Sequence, residues 1–144
     1  MKKLITSLVA IAIIVSPAIA AKNIEAGPRK GRILHLGDTS AEFFVEPDRT
    51  VSIAFYDTEK KPLAPTDQVV VATAEAPTGK KKLEFSKKDN LLVSTEALPE
   101  GEHYNVVVQV KETADAKPKN FRIKLDLSNC KGCSNPEYAC TCDE

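Results

Sequence analysis

Tyr104-Asn105-Val106-Val107-Val108-Gln109-Val110 and Phe121-Arg122-Ile123-Lys124-Leu125-Asp126-Leu127 decide the fold of this chain. In the first stretch Tyr104, Val106, Val108 and Val110 share a face. In the second, Phe121, Ile123, Leu125 and Leu127 share one, with Arg122, Lys124 and Asp126 opposite. Alternation at period two is what a strand needs when one of its faces is buried. Lys111 to Lys119, charged and carrying Pro118, reads as a mobile loop between them.

Working back along the chain, the same pattern recurs with turn residues at short intervals. Ile33 opens the first strand. Ser40 to Glu46 places Ala41, Phe43 and Val45 on one face and Glu42 and Glu46 on the other. After a turn at Pro47-Asp48, Thr50 to Tyr56 points Val51, Ile53 and Phe55 one way. Asp57 to Thr66 holds Pro62 and Pro65, which suits a loop or a short edge element. Gln68 to Ala74 is β-branched on both faces and reads as a strand buried between two layers. Ala76-Pro77-Thr78-Gly79 closes it, and Lys82 to Ser86 with Leu91 to Thr95 form a hairpin around Lys87-Lys88-Asp89-Asn90.

About seven or eight short antiparallel strands, with no long helical period, predict an all-β two-layer sandwich of the immunoglobulin-like or fibronectin-like kind. Leu98-Pro99-Glu100-Gly101-Glu102-His103-Tyr104 resembles the corner segment of such domains, in which a tyrosine entering the penultimate strand bonds back to the preceding turn. Tyr104 is the expected tyrosine. The expected organisation is a signal peptide over 1–20, a β-sandwich over 21–127 and a cysteine-rich tail over 128–144.

The leader rests on three features. Lys2 and Lys3 supply positive charge, Leu4 to Val15 is apolar apart from Thr6 and Ser7, and Ala18-Ile19-Ala20 offers small residues to a signal peptidase. Cleavage is expected between Ala20 and Ala21. The apolar run is too short for a membrane anchor, which needs roughly 20 residues, and no cysteine lies nearby to carry a lipid. The expected product is periplasmic or secreted, with no stable membrane insertion after cleavage. The full chain carries 20 basic and 20 acidic residues. Losing Lys2 and Lys3 leaves 18 against 20, a formal charge of −2. Such a chain has no strong field for nucleic acid, and without tryptophan it has few stacking platforms.

All four cysteines lie in the tail: Cys130, Cys133, Cys140 and Cys142, spaced C-x2-C, six residues, C-x-C. Four thiolates suit a soft cation, Zn²⁺ held tetrahedrally or Cu(I). Gly132 relaxes the first turn, and Pro136 bends the chain so that the pairs can meet. Against this, two sulfurs one residue apart lie on opposite sides of an extended chain. An oxidising compartment favours two disulfides instead and an even cysteine count fits them, pairing Cys130 or Cys133 with Cys140 or Cys142. A redox-active C-x2-C would need a helix N-terminus to lower its thiol pKa, and a tail offers none.

Elsewhere the signals are thin. His35 and His103, each on a strand or its approach without further histidines beside it, are candidate metal ligands by their imidazoles, with plain exposure on a strand as the more ordinary reading. Lys80, Lys81, Lys82, Lys87 and Lys88 flank one hairpin, either as a patch for an acidic partner or as a solvated edge that blocks strand-to-strand aggregation. Two histidines give no Ser-His-Asp arrangement, six glycines give no phosphate-cradling loop, and Glu96 and Glu100 are set apart by an ordinary turn. No enzyme is expected.

Gly27-Pro28-Arg29-Lys30-Gly31-Arg32-Ile33-Leu34, Ala41-Glu42-Phe43-Phe44-Val45, Tyr56-Asp57 and Lys61-Pro62-Leu63 resemble a small bacterial envelope module that accompanies heavy-metal efflux systems, among them the periplasmic adaptors of cobalt, zinc, cadmium and copper exporters. The resemblance runs over Gly27 to Val71 and implies a β fold, an envelope location and metal handling. Arg29 stands at that module's histidine and Lys30 at the first of its paired glycines, and a guanidinium does not coordinate a cation. The cysteine tail lies outside the module. Two functions follow as expectations: an exported metal-binding or metal-efflux accessory using the four cysteines, with an envelope protein as partner, or a structural interaction module of the envelope with two disulfides.

Overall fold

Short runs of alternating residues become nine strands in the computed structural model, which describes residues 23–142. In chain order they are β1 (Arg32–His35), β2 (Ser40–Val45), β3 (Val51–Tyr56), β4 (Pro62–Leu63), β5 (Val69–Ala76), β6 (Gly79–Lys88), β7 (Leu91–Ser94), β8 (Tyr104–Lys111) and β9 (Lys119–Leu125). One 3₁₀ turn, Glu137–Ala139, follows in the tail. The leader and its cleavage point at Ala20 and Ala21 lie outside the described residues.

Every pairing is antiparallel, and the order is β1-β2-β3-β7-β6-β5-β8-β9, with β4 on β3. The all-β antiparallel expectation therefore holds. The order also shows one continuous path of strands curled until it nearly closes as a barrel, in place of two layers with separate hydrogen bonding. β6 is the reason. Its first half pairs with β5 through Val71↔Glu84 and Ala72↔Leu83, and its second half pairs with β7 through Phe85↔Ser94 and Lys88↔Leu91. One strand thus belongs to both sides of the core. The turns on either side of it are the expected ones, Pro77-Thr78 before Gly79 and Asp89-Asn90 after Lys88, with Asp89 in the left-handed region at φ 54°.

The deciding pair behaves as its alternation requires. Val106 faces Ile123 and Tyr104 faces Leu125 across β8 and β9. Val106, Val108, Val110, Ile123 and Leu125 are fully buried, meeting Phe43, Ile53 and Phe55 from the other side of the core. The tyrosine corner forms: Tyr104 Oη donates to the Pro99 carbonyl at 2.8 Å, and Arg49, in the β2–β3 turn, donates to the same carbonyl.

Two expectations about faces change. β5 is buried on one side only: Val70, Ala72 and Ala74 point inward, while Val69 is 42% exposed and Val71 and Thr73 are half-buried. Its β-branched outer face has no second layer over it. β3, in contrast, is buried on both faces, because residues 25–31 fold back across it. Glu42, read as solvent-facing, is 0% exposed. Its Oε1 accepts the Arg29 and Gly31 N–H groups at 2.9 and 2.7 Å, and its Oε2 accepts the Tyr56 hydroxyl at 2.7 Å. Gly31 allows this approach, since a Cβ there would lie 2.4 Å from the Phe43 carbonyl oxygen. Burial and that hydrogen bond hold the Tyr56 hydroxyl well above the usual phenol range.

The lysines around β6 are mostly engaged at the surface: Lys80 with Glu75, Lys81 with Glu96 and Lys82 with Glu84, at 3.7, 3.1 and 3.2 Å. This pattern matches the solvated-edge reading, because each half of β6 leaves one hydrogen-bonding edge open.

Candidate metal centre

The tail does not hang from the sheet. It returns across the gap between β1–β2 and β9, the two ends of the strand path. Asp126 starts the return: its carboxylate accepts the Ser128 N–H and hydroxyl at 3.0 and 2.6 Å, and the Ser128 hydroxyl chiefly holds that carboxyl below its ordinary pKa. Cys130 to Asn135 then makes a tight turn. The Cys130 N–H donates to the Asn135 carbonyl and the Ser134 N–H to the Cys130 carbonyl, with Ser134 at φ 59°. Pro136, extended at φ −56° and ψ 145°, leads into the 3₁₀ turn, whose Tyr138 and Ala139 are buried in the main core.

This path brings all four sulfurs together. Every Sγ of Cys130, Cys133, Cys140 and Cys142 lies within 4.8 Å of the others. The close pairs are Cys130–Cys140 at 3.0 Å, Cys133–Cys140 at 3.6 Å and Cys130–Cys142 at 3.7 Å. A disulfide needs about 2.05 Å, and all four are free thiols here. Four sulfurs at about 2.3 Å from a tetrahedral Zn²⁺ stand about 3.8 Å apart. The observed spacings therefore suit one small cation at the centre. The C-x-C geometry resolves against its expectation: the chain bends so that the Cys142 N–H donates to the Cys140 Sγ at 3.4 Å, which puts both sulfurs on the same side.

Backbone donors surround the group. Gly132 N–H points at Cys130 Sγ at 3.4 Å. The N–H groups of Thr141 and, next, Asn135 reach the Cys133 sulfur and bring its thiol down to about 6. Cys140 is pushed up to about 12, chiefly because its thiol donates to Cys130. Cys142 is also raised, chiefly through Cys130. Without a cation the surroundings thus favour the thiolate at Cys133 and the protonated thiol at Cys140 and Cys142. A divalent cation can take the place of those protons, and the N–H groups spread the remaining negative charge.

Gly132 has a steric role beyond loosening the turn. A Cβ on it would meet the Cys142 Sγ at 2.6 Å. Gly132→Ala is expected to push Cys142 out of the group and to weaken Zn²⁺ binding by about tenfold, read by competition against a chromophoric chelator. Unchanged affinity would mean that Cys142 is not a ligand.

The other sequence candidates fall elsewhere. His35 pairs with Glu25 at 3.2 Å and His103 with Asp126 at 3.3 Å, both on the surface, and neither joins the sulfur group. Arg29 is committed to the sheet: its guanidinium donates to Ser52 and to Glu46 at 2.7 Å each and lies 4.5 Å over the Phe44 ring. Cys130 and Cys133 sit in a turn and open no helix, so nothing there tunes a redox pair by a helix N-terminus. Sequence reading missed Tyr138, although an aromatic standing alone between two cysteine pairs in a polar tail was a usable sign. No protein-family model, curated protein or solved structure matches the chain, so the likeness to the efflux-associated module rests on its short motifs alone.

Proposed function

We propose that this is an exported, non-enzymatic envelope protein that binds one soft divalent cation, Zn²⁺ in the first instance, through Cys130, Cys133, Cys140 and Cys142. The supporting observation is the gathering of four sulfurs within 4.8 Å of one another, two of the close pairs at 3.6 and 3.7 Å. Four protein ligands leave no open position for a substrate or a reactive water, which marks a site that holds metal without doing chemistry on it. The β domain supplies the scaffold, and its tyrosine corner at Tyr104 and Pro99 supports an immunoglobulin-like character. Export is supported by Lys2, Lys3, the apolar run and Ala18-Ile19-Ala20. The motifs from Gly27 to Leu63 support an envelope partner concerned with metal.

A second reading keeps the scaffold and oxidises the tail. The pairs Cys130–Cys142 and Cys133–Cys140 are 3.7 and 3.6 Å apart, near enough for two bridges after a small movement, and an exported chain meets oxidants.

Native mass spectrometry, with and without thiol alkylation, separates the two. Protein taken from its own compartment is expected to carry one metal ion and, once the metal is chelated, to accept four alkyl groups. A metal-free mass lighter by four protons, with no alkylation, would establish the bridges and end the metal reading. Bound copper in place of zinc would change the cargo but keep the site.

A further inference from the structure

We infer that metal binding and closure of the barrel seam are one event, joined by Tyr138; the inference rests on the four-cysteine metal reading above. The two ligand pairs bracket the plug of the seam. Cys133 precedes and Cys140 follows the segment that carries Tyr138 and Ala139, so a cation that ties Cys130 and Cys133 to Cys140 and Cys142 closes a ring of backbone around those two residues. Tyr138 is 2% exposed and meets the Phe43 ring edge-on, with centroids 5.8 Å apart.

Its hydroxyl does a job that the sheet leaves undone. β1 has its last partner at Arg32↔Phe43, so β2 runs on without a neighbour on that side. The Val45 N–H there donates to Tyr138 Oη at 3.2 Å. On the opposite bank, the Tyr138 N–H donates to the Asp126 carbonyl at 3.2 Å and the Glu137 N–H to the Ser128 carbonyl at 2.8 Å, just beyond β9. The plug thus bonds to both ends of the strand path. At the far end of the seam the contacts are exposed and polar: Thr39 reaches Glu112 at 3.4 Å, and Glu112 meets Lys119 at 3.5 Å.

A short 3₁₀ turn held by a few hydrogen bonds is marginal by itself, because fixing each residue costs backbone entropy. The cation supplies the constraint, since fixing the sulfurs fixes the loop between them. Linkage makes the relation reciprocal: what weakens the plug weakens the metal, and the reverse. Tyr138 is then a positioning residue of the metal centre, although it touches no metal.

The test uses the full chain. Zinc stoichiometry of the wild type is measured first; no bound zinc at any concentration removes the metal reading and this inference with it. In zinc-loaded protein, chelation is expected to speed exchange of the Val45 and Tyr138 amides tenfold or more, while Val106 and Ile123 stay protected. Stoichiometric zinc with no change at Val45 overturns the coupling and leaves the metal site standing. Exchange in the chelated protein that is as fast at Val106 and Ile123 as at Val45 overturns it too, because the metal would then hold the whole fold and not the seam in particular. Tyr138→Phe keeps the ring and all four cysteines but removes the acceptor for Val45. It is expected to bind zinc about fivefold or more weakly at unchanged stoichiometry. Wild-type affinity in that variant would show that the plug and the metal are independent.

Discussion

Zinc-loaded protein is expected to melt about 15 °C above the same protein in excess chelator. Binding to the folded chain alone stabilises it by about 4 kcal/mol when free metal stands a thousandfold over Kd, and a domain of this size moves about 4 °C per kcal/mol. Cys130→Ser should remove the whole difference, since Cys130 is the most buried of the four and its sulfur lies 3.0 Å from that of Cys140 and 3.7 Å from that of Cys142. Calorimetry of both proteins with zinc and with chelator checks this. A melting point in the wild type that ignores zinc would sink the metal reading. Acid should imitate the chelator. The ligands act as thiolates, so protons compete with the cation and affinity falls as pH falls. Cys133, brought down to about 6 by the Thr141 and Asn135 N–H groups, takes its proton back later than Cys140 and Cys142, whose thiols are raised.

Glu42→Ala is expected to cost about 3–5 kcal/mol of unfolding free energy, a large share of what a domain of this size possesses. The carboxyl group is the common acceptor for the Arg29 and Gly31 N–H groups and the Tyr56 hydroxyl. Among the described residues, no buried side-chain nitrogen or oxygen lacks a partner. Removing this acceptor leaves three donors, the Gly31 N–H and the Tyr56 hydroxyl buried and the Arg29 N–H part-buried, and opens a cavity under residues 25–31. Tyr56→Phe, which removes one donor and leaves the acceptor two others, should cost only about 1 kcal/mol. Urea titration of both variants decides it. Equal costs would mean that the carboxyl group serves the Tyr56 hydroxyl alone.

Residue alternation was enough to find nearly every strand, because a sheet with one wet face writes its register into the chain at period two. The hairpin at Asp89-Asn90, the edge piece at Pro62-Leu63 and the corner at Tyr104 were all legible in this way. Glu42 was not. Its place in the alternation is that of a solvent-facing residue, and only the return of residues 25–31, a contact across a turn with its own glycines, puts it indoors. The closure of the path was equally hidden, since nothing local tells a ten-residue strand such as β6 that its halves will have different neighbours. In the tail, cysteine spacing announced a cluster, but the expected oxidising compartment weighed toward disulfides over metal. The sulfur positions, and the bend that brings Cys142 round, show only in the folded tail, where Tyr138 packs against Phe43.

The bond from the Val45 amide to the Tyr138 hydroxyl joins residues 93 apart in sequence. Such a contact carries the full entropy of closing a long loop and forms late in folding. The first strands to leave the ribosome, or to cross a membrane, therefore wait for the last segment before their exposed edge is covered. Until then the chain has a complete hairpin core and one open flank, the state most prone to pairing with a neighbour. Metal supply at the moment of folding would set how long that interval lasts, which makes zinc availability a matter of yield as well as of stability.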